Sequence, residues 1–538
     1  MVESAVSANP VEPARRTRGL LGSSLVVGSM TMLSRVLGLT RDIVLAGFVG
    51  ATSNADAFFV AFKIPNFLRR LFAEGAFSQA FIPVLADYKS SEDDTLIRSF
   101  INRVTGVLGG VLLVFTAFMM MAAPIVTMLF APGFIDDAAK FDLTADMLRI
   151  TFPYLLLISL TGMAGAILNS YGYFAIPALT PVLLNLSLIF AALVVAPWFD
   201  PPIMALAWGV VLAGALQLTL QLPFLARIQR LPRPVWDTKD EGVKRVLKLM
   251  IPALFGVSVS QINLLLDTVL ASLLPTGSVS WLYYSDRLTE LPLGVFGIAI
   301  ATVILPNLSE LGSKSDVEQS RRVLDWAVRM VILVALPATL ALWLLSREIL
   351  VTLFQYGAMT PHDIDMAVFS MRAYALGLLA FMLIKVLAPG FYAQKDTKTP
   401  VKIGVIAMVS NMLLNVVFVF PLMWWFDLGH VGLALATSCS AFLNALLLLR
   451  GLRKRALFQW QPGWFLFLRA MIFGVVLMSA VLLLLAGYAG ELAERVWWER
   501  ASILSFSILS GGAGLLAGLL MGGLRLSHLK APLPANVA

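Results

Sequence analysis

The sequence predicts an all-α polytopic membrane protein with 14 transmembrane helices: two pseudo-symmetric six-helix lobes plus two extra C-terminal helices. Three observations predict it. Of 538 residues, 59% are hydrophobic and 13% charged, about half the charge that clothes a soluble domain. Mean hydropathy is +0.85. The chain also divides into runs of about 20 mainly apolar residues, the length a bilayer crossing requires. Soluble-enzyme, disordered and fibrous classes are excluded.

The first run follows a polar stretch carrying Arg15, Arg16 and Arg18. It is too long for a signal peptide and lacks a small-residue cleavage pattern, so it reads as a retained first span. The spans of the first half cover residues 21–48, 56–86, 104–130, 147–170, 175–197, 202–226 and 247–274. The second half gives 279–309, 324–346, 366–394, 401–423, 429–449, 464–488 and 501–524. With both termini in the cytoplasm, 25 Lys and Arg fall in inside segments and 6 outside, as the positive-inside rule requires. The net charge of +8 is therefore topological, and no nucleic-acid site is read from it. A single cysteine, Cys439, allows no internal disulfide, and His362, His430 and His528 lie too far apart for a histidine metal motif.

Nine basic residues remain inside spans: Arg35, Arg41, Lys63, Arg69, Arg70, Arg287, Arg329, Lys385 and Arg469. Each costs about 2.5–3.5 kcal/mol at a span centre on insertion scales. Snorkelling to the cytoplasmic interface suits Arg329 and Arg469. It fails for Arg35, Arg41, Lys63 and Arg69, which sit near mid-span. Spans 1, 2 and 8 hold most of these cations, accompanied by Asp42, Asp56, Glu74, Asp286 and Glu290. At 100° per residue, Asp56, Lys63, Arg70 and Glu74 fall on one stripe of span 2. Ion pairs that glue helices together account for some of these groups. The excess of cations argues for a hydrated, positively charged cavity. Arg41 and Arg287 lie seven or eight residues below the outer ends of their spans, about 10–12 Å deep, where two guanidinium groups could clamp a phosphate.

The halves echo one another. Asp42-Ile-Val-Leu-Ala resembles Asp267-Thr-Val-Leu-Ala at an offset of 225, and Phe81-Ile-Pro83 resembles Ile304-Leu-Pro306 at 223. Six spans separate the copies, so the repeats are parallel, with a site expected between two lobes. The expected organisation is a cytoplasmic basic tail (1–20), an N-lobe (21–228), a cytoplasmic loop (229–246), a C-lobe (247–450), spans 13 and 14 as a lipid-tail groove (451–524), and a cytoplasmic tail (525–538). The Arg450-to-Trp464 segment reads either as an anchor for that groove or as ordinary interfacial anchoring. Gly511, Gly514 and Gly518 in span 14 suit close helix packing.

Two long motifs carry a family resemblance. Ser34-Arg-Val-Leu-Gly-Leu-Thr-Arg41-Asp42 and the run from Ala55-Asp56 through Lys63, Asn66, Arg69-Arg70 and Glu74 to Pro83 resemble the MurJ (MviN) lipid II flippase family. So do Gly277-to-Glu290 and Lys385-to-Lys402. The resemblance covers nearly the whole chain after about residue 20. It implies the fold of the multidrug/oligosaccharidyl-lipid/polysaccharide exporter superfamily, with two lobes alternating between inward- and outward-open states. It also implies a lipid-linked disaccharide-pentapeptide on undecaprenyl pyrophosphate as substrate and the bacterial cytoplasmic membrane as location. The family's cavity arginines fall on Arg35, Arg41, Arg69 and Arg287, with Asp42 beside Arg41. Asp56 and Glu290 match acidic positions near the periplasmic gate, and Lys63, Glu74 and Asp286 are further cavity candidates. The adjacent Arg70 points about 100° away from Arg69.

Asp267, with Asn411, Asn415 and Thr437, offers oxygen ligands for Na⁺, as in some members of the family. The same Asn pair would equally serve to bond neighbouring helices, and Asp267 could instead pair with a cation. Membrane potential acting on unpaired cations is the simpler driving force, at about 2.3 kcal/mol per charge per 100 mV. No other cofactor is expected. A monomer is expected, surrounded by membrane lipids, with cell-wall synthesis proteins as candidate partners. An exporter of another polyprenyl-linked glycan or of drugs on the same fold is the alternative, which the cationic cavity disfavours. An enzyme would need a metal motif or a large extramembrane domain. A scaffold would have no reason to accept buried charge.

Overall fold

The computed structural model describes residues 14–297, 304, 308, 311, 316–488 and 492–529, and the side chains of all these except 14–27, 72–75, 255–260, 296–297, 487–488 and 526. Residues 1–13 and 530–538 of the two tails, the Pro306 repeat and most of span 8 beyond 297 lie outside them. Glu74 lies outside the described side chains.

All regular structure among the described residues is helical. The helices are α1 (Ala14–Val49), α2 (Ser53–Arg69), α3 (Ser78–Ser90), α4 (Asp94–Met121), α5 (Ala123–Phe130), α6 (Ala138–Thr151), α7 (Pro153–Ser170), α8 (Ala175–Phe190) and α9 (Met204–Arg227). They continue as α10 (Glu241–Ser272), α11 (Ser278–Pro292), α12 (Val317–Leu344), α13 (Ser346–Phe354) and α14 (Pro361–Tyr392). The last four are α15 (Lys398–Phe426), α16 (Gly429–Lys454), α17 (Trp464–Tyr488) and α18 (Trp497–Met521). Among the described residues, ten helical stretches are long and apolar enough to cross a membrane. The other four predicted spans (1, 2, 7 and 8) are helical wherever they are described, apart from Leu273 and Leu274 at the end of span 7. They carry Arg35, Arg41, Asp42, Asp56, Lys63, Arg69, Asp267, Asp286, Arg287 and Glu290.

Helix ends follow local chemistry. Asp93 caps α4, its carboxylate accepting from the Thr95 (2.8 Å) and Leu96 (3.3 Å) amides. These bonds, with one from the Thr95 hydroxyl, hold that carboxyl below its usual range. Thr360 and Asp363 form a reciprocal capping box at α14. Asp396 precedes α15, and the hydroxyl and amide of Thr399, with Arg455 beside them, hold its carboxyl at about 2.

Span 2 is not one uniform helix. A π-helical stretch, Arg70–Phe77, joins α2 to α3, and Leu293–Gly297 follows α11 in the same way. Their starts are 293 − 70 = 223 residues apart, the offset of the Pro83/Pro306 match. The two halves thus share a backbone irregularity of a kind that marks functional sites. The π stretch also corrects the stripe expected on span 2. The 100° step carries along α2 from Asp56 through Lys63 and is interrupted only between Arg70 and Glu74, and Arg70 is exposed while Lys63 is half-buried.

The chain forms two compact units. One comprises residues up to Val44, 65–122 and 147–254. In it α7 packs on α4 and α9, and α8 on α9. Its core holds Ile101, Ile167 and Leu168 beside a stack of Phe77, Phe81, Phe100 and Tyr88. The loop after α9 is bound to α4: Asn102 accepts the Val235 amide on its carbonyl (3.0 Å) and the Arg233 amide on its side chain (2.7 Å). The other unit comprises 45–64, 123–146 and the described residues from 255 on. There α14 packs on α11, α12 and α16, and α15 packs on α16. The α17–α18 pair depends on small residues. A Cβ on Gly518 would lie 2.4 Å from the Phe473 carbonyl oxygen, so this backbone approach requires glycine.

Candidate functional site

The predicted headgroup arginines are distributed between the units. Arg35, Arg41, Asp42 and Arg69 belong to the first, and Arg287 to the second. On α1, Arg35 and Asp42 are seven residues apart and share a face, while Arg41 is turned about 100° from Asp42. That turn directs Arg41 toward α8. Its Nε (3.0 Å) and Nη2 (2.6 Å) donate to Asp42 Oδ1, and its Nη1 donates to Asn185 Oδ1 (3.1 Å). The Asn185 amide in turn donates to the Ser34 carbonyl (3.0 Å). Arg41 is 6% exposed and Asp42 is fully buried. Arg35 and Arg69 are half-buried, and Arg69 Nε donates to Asn66 Oδ1 (3.3 Å).

In the second unit, Arg287 and Glu290 are a loose pair at 3.7 Å on α11. Lys63 lies near enough to Asp267 and Asp286 for its charge to act on both. The Asn415 amide donates to Asp267 Oδ1 (3.0 Å) and to Asn411 Oδ1 (3.2 Å), and the Asn411 amide donates to the Thr437 and Ser440 hydroxyls (3.4 Å each). The four residues named for Na⁺ are thus neighbours. Asn415 Oδ1 is buried without a hydrogen-bond partner. A carboxylate, two amide oxygens and a hydroxyl form a hard-oxygen set that fits such a cation. No cluster of three or more His, Cys, Asp or Glu suited to a metal occurs among the described residues.

Asp56, named for the outer gate, begins α2 and lies at the N-terminus of α11. Its Oδ2 accepts the Gly277 amide (2.8 Å), and its Oδ1 accepts the Ser280 amide (3.1 Å) and hydroxyl (2.7 Å). Lys140 Nζ on α6 donates to Oδ2 at 3.1 Å. Gly277 has φ +97°, and a Cβ there would meet the Trp281 ring at 2.7 Å. Trp281 Nε1 donates to Asp363 Oδ1 (2.9 Å). Glu290, the other residue named for the gate, is ten residues further along α11 than Ser280, about 15 Å away at helical rise. Lys140 was countable from the sequence only as an outside charge. It lies 84 residues from Asp56, and no periodicity pairs the two.

Two cations expected to snorkel have specific partners. Arg329 Nη2 pairs with Asp325 (2.8 Å) and donates to the Gln461 and Pro462 carbonyls (2.9 Å each). Arg469 caps the end of α18 through the Gly522 carbonyl (3.0 Å).

Long apolar helices with cations inside their spans mark a multi-pass membrane protein. The model of the family described as lipid II flippase MurJ matches residues 45–493. The chain belongs to that family. It is 49% identical over 524 residues to the probable lipid II flippase MurJ of Vibrio cholerae, covering 96% of this chain and 98% of that one. It is 42% identical over 503 residues to the lipid II flippase MurJ of Burkholderia cenocepacia, covering 92% and 96%. Among solved structures it resembles a lipid II flippase MurJ in an inward closed conformation, with TM-score 0.76 and 26% identity over 92% of this chain and 98% of that one. An inward-facing multidrug resistance MATE family transporter shares the fold alone, with TM-score 0.66 and 14% identity over 80% and 98%.

Proposed function

We propose that this chain carries lipid II from the inner to the outer leaflet of the bacterial cytoplasmic membrane by alternating access, for peptidoglycan synthesis. The observation that carries the reading is Arg41, a cation buried in a span and oriented by Asp42 and Asn185. A bilayer tolerates such a group where function retains it. The pyrophosphate of the headgroup meets Arg35, Arg41, Arg69 and Arg287. Asp42 holds Arg41 in place, and Lys63 and Asp286 complete a charged lining. Asp56 serves the outer gate, and Glu290 steadies Arg287. The undecaprenyl tail lies along α17 and α18. Both termini face the cytoplasm, the lobes are residues 21–228 and 247–450, and the chain works as a monomer.

The test is complementation. Bacteria depleted of their own lipid II flippase are expected to grow when this chain is expressed. Failure of a well-inserted chain to restore growth would move the reading to another exporter on this fold.

For the driving force, Na⁺ at Asp267, Asn411, Asn415 and Thr437 is favoured by the orphaned Asn415 oxygen, with membrane potential acting on the cations as well. Lipid II translocation in vesicles is expected to slow several-fold when Na⁺ is replaced by choline. Asp267→Asn should slow it in Na⁺ and remove the remaining difference between the two ions. A wild-type rate indifferent to Na⁺ would sink this site.

A further inference from the structure

We infer that Lys140, on the connection between the third and fourth spans, is a positioning residue that holds the outer latch shut. The inference rests on the alternating-access reading above. The first turn of α11 has no side-chain cap of its own, because its N-cap is Gly277. Asp56 supplies that cap from another helix. Its carboxylate accepts the Gly277 and Ser280 amides, as an N-cap side chain would, and its charge complements the positive end of the helix.

The hydrogen bonds satisfy the carboxylate oxygens, but they do not neutralise the charge. Lys140 does. Its amine sits 3.1 Å from Oδ2, with the Lys140 and Asp56 side chains 5% and 1% exposed. It also lies over the Phe134 ring at 4.2 Å. The segment carrying it is fixed nearby, because the Gly133 amide donates to the Ser272 hydroxyl (3.3 Å) at the end of α10. A buried charge without its partner is strongly destabilising, whereas the same charge in water is not. With the latch shut, Asp56 is dry and needs Lys140. With it open, water solvates Asp56 and Lys140 matters little. Lys140 therefore stabilises the shut state over the open one.

Ser278, the first residue of α11, provides a reporter. It is fully buried, and its hydroxyl has no hydrogen-bond partner. Ser278→Cys in a Cys439→Ala background is labelled from outside with a membrane-impermeant maleimide in intact spheroplasts. Lys140→Met is expected to raise the labelling rate about tenfold or more, because it strands the Asp56 charge. Lys140→Arg should stay within about twofold of the parent, since it keeps the charge. Adding Asp56→Asn to Lys140→Met should bring the rate back toward the parent, because no charge is then left unpaired. Labelling of Lys140→Met at the parent rate would overturn the inference. So would a double variant as fast as the single one, which would mean that lost packing and not lost charge opened the site. The readout is independent of transport. Failed complementation with this labelling pattern intact would sink the substrate assignment and leave the latch standing.

Discussion

Arg41→Ala is expected to abolish rescue of flippase-depleted bacteria, while Arg70→Ala leaves it intact. Truncating Arg41 removes the partner of a fully buried carboxylate, Asp42, and a donor to Asn185. Loss of one member of a buried pair costs about 3–5 kcal/mol, so part of the effect will be on folding. Arg41→Lys separates the two contributions. It keeps a positive charge beside Asp42 and should return the protein to normal membrane levels. It cannot reproduce a planar guanidinium that reaches Asp42 and Asn185 together, so rescue should remain poor. Arg70 is exposed at the start of the π stretch and has no such role. The measurement is growth at matched membrane levels. Rescue by Arg41→Ala at normal abundance would remove Arg41 from the mechanism.

The second large effect is expected in the N-terminal part of α12. Asp325 Oδ1 accepts the Gln461 amide (3.2 Å) and Trp464 Nε1 (2.7 Å), and Oδ2 pairs with Arg329. Arg329 also lies over the Trp464 ring at 5.0 Å. This cluster sets where α17 begins. Asp325→Ala strands Arg329 and two donors, with an expected loss of about 3–5 kcal/mol seen as a lower midpoint of thermal unfolding in detergent. Removing both charges, Asp325→Leu with Arg329→Met, should recover most of that loss, because apolar replacements of a buried pair are often neutral. A single variant that melts with wild type would show that the cluster merely decorates the helix end.

Much of this architecture was legible from composition alone. Apolar runs of bilayer length marked the helices, and the rarity of charge inside them made Arg35, Arg41, Asp56 and Arg287 conspicuous. The repeat was visible in two short matches, and the paired π stretches now share its offset. What escaped were partners. Asn185 is one polar residue in an apolar span, 144 positions from Arg41, and Lys140 looked like a surface charge. Helical periodicity says which face of a helix is buried, never against what. It also assumes one helix type, an assumption that the π stretch breaks between Arg70 and Glu74.

The capping of α11 by Asp56 bears on the opening proposed above. A helix whose first turn is completed by a side chain of another helix is fully formed only while the two remain together. Parting them leaves the Gly277 and Ser280 amides to water, at a residue whose left-handed backbone begins the helix without a cap of its own. The first turn of α11 then frays as the gap widens. On the alternating-access reading proposed above, opening would thus be a small unfolding as well as a rigid movement, and closing a small refolding, with each transport cycle winding and unwinding one helix end.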